Sequence, residues 1–227
     1  MSNLGFDTYE PWSGEQRPLY LAPMAGVSDL PYRLLAKECG ADITITEFTN
    51  STALSREATA SWRKMESDPR EQPFIPQIFG GEMDDMVKAA TMLQESADVI
   101  DLNFGCPAPK VTSICAGAAL MGEPQRLVTM VENIVEAVDV PVTAKMRLGT
   151  GQGPNNAVNI CQSLERSVRN DCAYMEGRFA SDTQVLLIGK PYKQRSMQLK
   201  SQSLQMETLP MPIVHDCVWN KPMPQDL

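Results

Sequence analysis

The chain has 227 residues, 43% of them hydrophobic, which is enough for one large domain or two small ones around a real core. Its net charge of -8, from 28 acidic and 20 basic residues, argues against a protein that coats nucleic acid with a wholly basic surface. Six cysteines without a C-x-x-C pair, and no long apolar segment, predict a cytoplasmic protein without a metal site, disulfide framework or membrane span. The single histidine, His215, lies in a polar tail, so a Ser-His-Asp mechanism has little support.

Apolar strands and amphipathic helices alternate up to about residue 165. The first strand, Leu19–Met24, precedes a helix over Pro31–Cys39, with Asp29 as a candidate N-cap and Gly40 at its end. Further strands are predicted at Asp42–Glu47, Phe74–Phe79, Asp98–Asn103 and Pro141–Met146. Further helices are predicted at Ala53–Met65, Met83–Ser96, Pro124–Val138 and Asn155–Glu165.

Five strand–helix units with short links predict parallel strands joined by right-handed crossovers. A doubly wound sheet and a (β/α)8 barrel both fit this pattern. No Gly-x-Gly-x-x-Gly follows a strand, which weakens the dinucleotide-binding form of the sheet. A barrel usually needs about 250 residues, so a chain with five visible units is short for one.

Cys106 follows a strand of Val, Ile and Leu residues, and Asn103 and Gly105 interrupt the apolar run just before it. The carboxyl ends of parallel strands are where α/β barrels carry out their chemistry. Many free cysteines, however, are simply small buried hydrophobic residues. By placement alone, Cys106 is either a core thiol or a functional one.

Several motifs at strand ends occur together in this chain. They are Ala22-Pro23-Met24-Ala25-Gly26-Val27-Ser28-Asp29, Tyr32-Arg33, Glu47, Gln77, Gly80, Asn103-Phe104-Gly105-Cys106-Pro107, Lys110-Val111, Gly117-Ala118-Ala119-Leu120 and Lys145-Met146-Arg147-Leu148-Gly149. In order and spacing they resemble the flavin-dependent tRNA-dihydrouridine synthases, and they look closer to the bacterial B-type and archaeal members. The resemblance covers about residues 18–165.

The resemblance implies an α/β fold, an incomplete (β/α)8 TIM barrel of about five N-terminal units. This partial FMN-binding domain would cover residues 18–166, after an N-terminal extension over 1–17. It also implies that NADPH reduces the FMN, which passes hydride to C6 of a uridine lifted out of tRNA. Cys106 matches the cysteine that donates the proton to C5 from the opposite face of the base.

The same resemblance assigns further site residues. Pro23, Met24 and Ala25 would lie along the flavin ring, and Gln77 would hydrogen-bond its pyrimidine edge. Lys145 would place positive charge beside N1 and O2 of the flavin, where negative charge develops on reduction. Asn103 would position the substrate base, and Arg147 would contact flavin or tRNA. Lys110 has a simpler interpretation as a solvated charge.

The family pattern stops after about Arg166. Glu176 stands where a histidine is expected, and the later Asn-Gly-Asp strand end and the Gly-Arg loop that would hold the FMN phosphate are missing. Residues 167–227 are therefore expected to form a degenerate, disordered tail. We hypothesise a reading-frame shift, since codons for Lys200–Thr208 read from their third base permit Ile-Thr-Val-Pro-Ala-Asn-Gly-Asp-Ile. As written, the chain is expected to bind FMN weakly or not at all.

Two other functions fit the sequence. A dihydroorotate or dihydropyrimidine dehydrogenase would share the FMN barrel and the pyrimidine chemistry. A non-catalytic or RNA-binding fragment belongs to a different class, although the acidic composition argues against tight tRNA binding. The identity of the modified uridine and the oligomeric state do not follow from the sequence.

Overall fold

The computed structural model describes residues 19–150, 153–167 and 183–188. All of them belong to one unit of the chain, which spans residues 2–197. The strands are β1 (Tyr20–Leu21), β2 (Ile43–Thr44), β3 (Thr49–Asn50), β4 (Gln77–Phe79), β5 (Ile100–Phe104), β6 (Val142–Arg147) and β7 (Thr183–Ile188). The helices are α1 (Leu30–Glu38), α2 (Ser51–Ser55), α3 (Thr59–Trp62), α4 (Met83–Leu93), α5 (Pro109–Thr112), α6 (Pro124–Ala137) and α7 (Ala157–Ser167). Short 3₁₀ turns cover Arg63–Met65 and Gly117–Gly122.

The strands form two sheets. β1 and β2 pair in parallel, and a larger sheet has the order β3-β4-β5-β6-β7. Strands β3 to β6 are parallel and follow chain order, as expected for successive crossover units. Thr46 bridges the sheets, since its N–H donates to the Ile75 carbonyl at 3.1 Å and its hydroxyl accepts from Gln77 N at 3.0 Å. The predicted α/β class is confirmed, and the described strands do not close into a barrel.

β7 corrects the prediction of an irregular tail. Residues 183–188 pair antiparallel with β6, in a register that sets Val142 opposite Ile188 and Arg147 opposite Thr183. A barrel would place a parallel strand at this edge. The sequence Thr-Gln-Val-Leu-Leu-Ile is rich in strand-forming residues, and the edge of β6 offers unpaired backbone groups to any such segment. Ser167, the first residue of the predicted tail, ends α7. Residues 168–182 and 189–227 of that tail, and the predicted extension over 1–17, lie outside the described residues.

The core lies between one face of the larger sheet and the helices. The strands contribute Ile78, Ile100, Leu102, Phe104, Val142, Ala144 and Met146. Helix α4 buries Met86, Ala89, Ala90 and Leu93, and the α6 segment buries Leu127, Val131, Ile134, Val135 and Val138. These residues recur at helical spacing in the sequence, so each helix buries one apolar stripe against the sheet.

Helix α1 shows why the predicted boundaries hold locally. The Asp29 carboxylate accepts a hydrogen bond from the Tyr32 N–H at 3.1 Å, which satisfies an N-terminal donor of the helix. Pro31 occupies its first turn, and Gly40, with φ +98°, follows its end.

Other elements differ from the prediction. The predicted helix over 53–65 is divided into α2, α3 and a 3₁₀ turn. Strand β3 and helix α5 were not predicted, because segments this short carry little periodicity.

Candidate active site

The face of the larger sheet opposite the apolar core carries polar side chains. The strand register sets Gln77 beside Asp101 and Asp101 beside Thr143, which places these three in one row. Asn103 and Lys145 form the next row toward the carboxyl ends of the strands. Because alternate residues of a strand share a face, all five lie on the same side of the sheet.

Hydrogen bonds join this polar face into one network. Gln77 Nε2 and Thr143 Oγ1 each donate to one carboxylate oxygen of Asp101. The Gln77 Oε1 accepts from Asn103 Nδ2 at 3.0 Å. Asn103 Oδ1 in turn accepts from the backbone N–H groups of Gly105 at 3.1 Å and Cys106 at 2.9 Å. The network therefore runs from the interior of the sheet to the backbone of Cys106.

Cys106 is a half-buried free thiol in the loop after β5. Its carbonyl accepts a hydrogen bond from Ala118 N at 2.9 Å, on the other side from the bond that Asn103 makes to its N–H. Gly117 has φ +59°, and a Cβ there would lie 2.6 Å from the Cys106 carbonyl oxygen. Glycine is needed at 117 both for this close approach and for its backbone conformation. The backbone of Cys106 is thus held from two directions.

Lys145 and Asp101 bring opposite charges to the polar face. Burial lowers the pKa of the half-buried Lys145 ammonium, and the Asp101 carboxylate acts in the opposite direction. Burial also raises the pKa of Asp101, against the hydrogen bonds from Thr143 and Gln77 and the charge of Lys145. The desolvation cost of each charge is therefore partly offset by the other.

Pro23, Met24 and Ala25 lie on the turn between β1 and α1. Met24 and Ser28 bond to each other, with Met24 N donating to Ser28 Oγ at 2.9 Å and Ser28 N donating to the Met24 carbonyl at 3.0 Å. Pro23 and Met24 are half-buried, whereas Ala25 is exposed. This turn follows the carboxyl end of β1, in the smaller of the two sheets.

Two carboxylates support that turn. Glu47, which follows β2, accepts from the Gly26 N–H at 2.6 Å. Arg33 pairs with Glu71 in the interior and also donates to the Ser28 carbonyl at 2.9 Å. The sequence motifs include Glu47 and Arg33 but do not predict these contacts. The buried pair thus ties the turn to the segment that precedes β4.

Arg147 ends β6, two residues after Lys145. It lies beside Gly105, where an added Cβ would be 3.4 Å from Arg147 Cγ. The structure therefore places Gln77, Asn103 and Lys145 on one face of β4 to β6 and Cys106 in the loop that follows β5, with Arg147 at the edge of the group.

Sequence reasoning missed Asp101 and Thr143. The available signal was an aspartate in the middle of the apolar run Val99-Ile100-Asp101-Leu102, since a carboxylate is rarely buried without a partner. Its partner Thr143 carries no comparable signal, because threonine is common in strands.

The described residues contain neither a group of metal ligands nor a membrane-spanning helix. Among residues 19–150, 153–167 and 183–188, no three His, Cys, Asp or Glu residues group in a way that could hold a metal ion. Within the same ranges, no helix is long and apolar enough to cross a bilayer. What these ranges do present is an α/β protein with a polar site at the carboxyl ends of parallel strands, of the kind that α/β enzymes use.

Comparison with known proteins places the chain within this class. Residues 20–167 match the dihydrouridine synthase family, and the chain belongs to that family. A probable tRNA-dihydrouridine synthase of Rhizobium leguminosarum bv. phaseoli is 40% identical over 148 residues, which are 65% of this chain and 46% of that protein. The tRNA-dihydrouridine synthase B of Pseudomonas putida is 38% identical over 152 residues, 66% of this chain and 44% of that protein. The chain thus spans less than half the length of these relatives.

Proposed function

We propose that this chain carries the flavin-ring and uridine half of a tRNA-dihydrouridine synthase site, on an incomplete TIM barrel. The reaction is the reduction of uridine in tRNA to 5,6-dihydrouridine, with FMN as cofactor and NADPH as reductant, in the cytoplasm. The observation that carries the proposal is that Gln77, Asn103 and Lys145 share one face of three adjacent parallel strands, and hydrogen bonds join Gln77 and Asn103 to the backbone of Cys106 in the loop after β5. The names of the relatives support tRNA as the substrate.

The donor groups of this site suit a flavin ring. The pyrimidine edge of a flavin presents mainly oxygen and nitrogen acceptors. Lys145 offers a half-buried cation, and the Gln77 amide nitrogen carries two hydrogens, of which the bond to Asp101 uses one. The exposed Ala25 and half-buried Met24 offer backbone and apolar surface on the turn after β1. These residues fit the ring, and we assign Pro23, Met24, Ala25, Gln77 and Lys145 to hold it.

Each of the assigned site residues then has a defined task. A bound FMN supplies the hydride that C6 of uridine receives. The Cys106 thiol holds the proton for C5, and its fixed backbone limits where Sγ can lie. Asn103 and Arg147 orient the base and the adjoining backbone of the substrate, and Lys145 stabilises negative charge at the ring. The C5=C6 bond of uracil is thereby saturated by one hydride and one proton.

The experiment incubates the full chain with FMN, NADPH and an unmodified tRNA transcript, and measures dihydrouridine by mass spectrometry of the nucleosides. We expect slow reduction that Cys106→Ala abolishes, while Cys39→Ala, which removes an exposed thiol, leaves it intact. Product formation that survives Cys106→Ala would contradict the role of the thiol. NADPH-dependent reduction of free uracil added in place of tRNA, with none of the tRNA, would favour the dehydrogenase alternative, and no reduction of either substrate would favour a non-catalytic fragment.

Flavin affinity is tested separately by titration. The sequence lacks the loop that would hold the FMN phosphate, so we expect FMN and riboflavin to bind with similar, weak affinity. Lys145→Met should weaken both to the same extent, because the ring is common to the two ligands. FMN that binds much more tightly than riboflavin would contradict this proposal, since it would show a phosphate site in the chain.

A further inference from the structure

Asp101 is a completely buried carboxylate near the amino end of β5, and neither the sequence motifs nor the proposed reaction uses it. A buried carboxylate is costly, and well-packed apolar residues often replace a whole buried ion pair without loss of stability. The donors on both sides, Gln77 on β4 and Thr143 on β6, approach one oxygen each. Asp101 therefore has a place in the network that a leucine could not take.

The hydrogen bonds of Gln77 and Asn103 run in the direction that an acceptor at Asp101 requires. A carboxylate oxygen can only accept, so Gln77 must turn its Nε2 toward Asp101 and its Oε1 away. The Oε1 then requires a donor, and Asn103 presents Nδ2 to it at 3.0 Å. This leaves Asn103 Oδ1 facing the N–H groups of Gly105 and Cys106, which are donors. The acceptor at Asp101 and the backbone donors at Gly105 and Cys106 thus require the same orientation of the two amides.

We infer that Asp101 is a positioning residue of the candidate active site, which orients Gln77 and Asn103 and through them fixes the backbone of Cys106. The chemical importance of this role rests on the proposed function, in which Gln77 meets the flavin, Asn103 meets the base and Cys106 donates the proton. The hydrogen bonds themselves join groups of the chain, so they can be tested without flavin or tRNA.

A carboxamide at this position separates orientation from charge. In Asp101→Asn the side-chain oxygen can still accept from Gln77 Nε2, and its NH₂ can donate to the Thr143 hydroxyl, which accepts as well as donates. Asp101→Leu has nearly the shape of aspartate but offers no acceptor, so both Gln77 and Thr143 lose their partner. The two variants remove the same charge but only one removes the acceptor.

Asp98→Leu is the matched control on the same segment. The Asp98 carboxylate accepts from the Phe74 N–H at 2.7 Å, just before the amino end of β5. Loss of this bond weakens the sheet at the end away from Cys106. The control therefore reports what a lost carboxylate contact does to stability without a change in the Gln77–Asn103 orientation.

Two measurements on the full chain, without flavin or tRNA, test the inference. Amide hydrogen exchange at Gly105 and Cys106 is read as a ratio to the amides of α6, which corrects for overall stability. The rate of alkylation of Cys106, resolved by peptide mass spectrometry, reports the exposure and mobility of the thiol.

Asp101→Leu should lower the relative protection of Gly105 and Cys106 by about fivefold, the size of one ordinary hydrogen bond, and speed alkylation of Cys106. Asp101→Asn and Asp98→Leu should leave both ratios near those of the unaltered chain. Unchanged ratios in Asp101→Leu would overturn the inference. Equal loss in Asp101→Leu and Asp101→Asn, or the same loss in Asp98→Leu, would also overturn it.

Riboflavin titration of the same variants keeps the inference distinct from the proposed function. If the exchange and alkylation results follow expectation, the positioning role stands whether or not riboflavin binds. Absence of riboflavin binding to the unaltered chain would count against the proposed function alone.

Discussion

The two faces of the larger sheet are built from alternate residues of the same strands, yet they are held together differently. On one face, Ile100, Leu102 and Phe104 of β5 pack into an apolar core against helices. On the other, Asp101 and Asn103 lie within a hydrogen-bonded network that ends at Cys106. Burial of area stabilises the first face without regard to direction, whereas the second depends on which atom donates and which accepts.

The comparison shows how one strand can serve both folding and chemistry. The apolar face tolerates exchange among hydrophobic residues of similar volume. The polar face tolerates little, because a single lost acceptor reverses or breaks the bonds that follow it. Changes on the apolar face should therefore lower stability. Changes on the polar face should alter the placement of Asn103 and the Cys106 backbone.

Leu102→Ala should produce the largest effect, since it leaves a cavity in the apolar face. We expect the free energy of unfolding to fall by about 3 kcal/mol, measured by urea denaturation. The protection of the Cys106 amide relative to α6 should not change, because Leu102 faces away from the network. A stable variant with altered Cys106 protection would break the distinction between the two faces.

Thr143→Val should have a smaller effect on stability and a larger one on the network. The valine has the shape of threonine but leaves one oxygen of the buried Asp101 without its donor, at a cost of about 2 kcal/mol. Thermal unfolding measures this loss of stability. Thr91→Val is the control, because the exposed Thr91 hydroxyl donates to the Val87 carbonyl of its own helix at 2.9 Å. Equal losses of stability in Thr143→Val and Thr91→Val would show that the donor to Asp101 matters no more than an exposed threonine hydroxyl.

The charge of Lys145 gives a pH dependence that belongs to the polar face. Burial lowers the pKa of Lys145 below 10.5, so unfolding takes up a proton in the window between the folded pKa and 10.5. The contribution of this group to stability therefore rises with pH through that window. Denaturation across it should show a steeper rise for the unaltered chain than for Lys145→Met. If the free energy of unfolding changed with pH by the same slope in both chains, the lowered pKa of Lys145 would be contradicted.

The same window should widen in Asp101→Asn. The Asp101 charge raises the pKa of Lys145, so its removal lets the pKa fall further and the rise in stability begin at a lower pH. An unchanged onset would show that the two groups do not interact.

Asp68→Asn should have the smallest effect, since it belongs to neither face. The half-buried Asp68 pairs with the exposed Arg70 at the surface, and surface pairs of this kind add little to stability. Its pKa lies at about 2, below the ordinary 3.8, so any contribution persists above pH 3.8 and disappears as the pH falls through about 2. We expect no change in the thermal midpoint at neutral pH. A clear fall in the thermal midpoint at neutral pH would show that the Asp68–Arg70 pair is important for stability.

Local patterns in the sequence determined the apolar half of this protein. The helical spacing of Met86, Ala89, Ala90 and Leu93, and the cap at Asp29, predict elements that the structure contains, because each depends on residues within a turn or two of one another. The strand-end motifs likewise predict the family to which the chain belongs. The frame shift and the loss of the FMN phosphate site stay predictions.

Only the tertiary structure decided the polar half. The register of β4, β5 and β6 sets Gln77, Asp101 and Thr143 side by side, although 24 and 42 positions separate Asp101 from its two partners. The antiparallel pairing of β7 was likewise decided by an available strand edge rather than by the local pattern. Hydrogen bonds between distant strands have no period in the sequence, so a carboxylate can be recognised there as unusual but not assigned its partners.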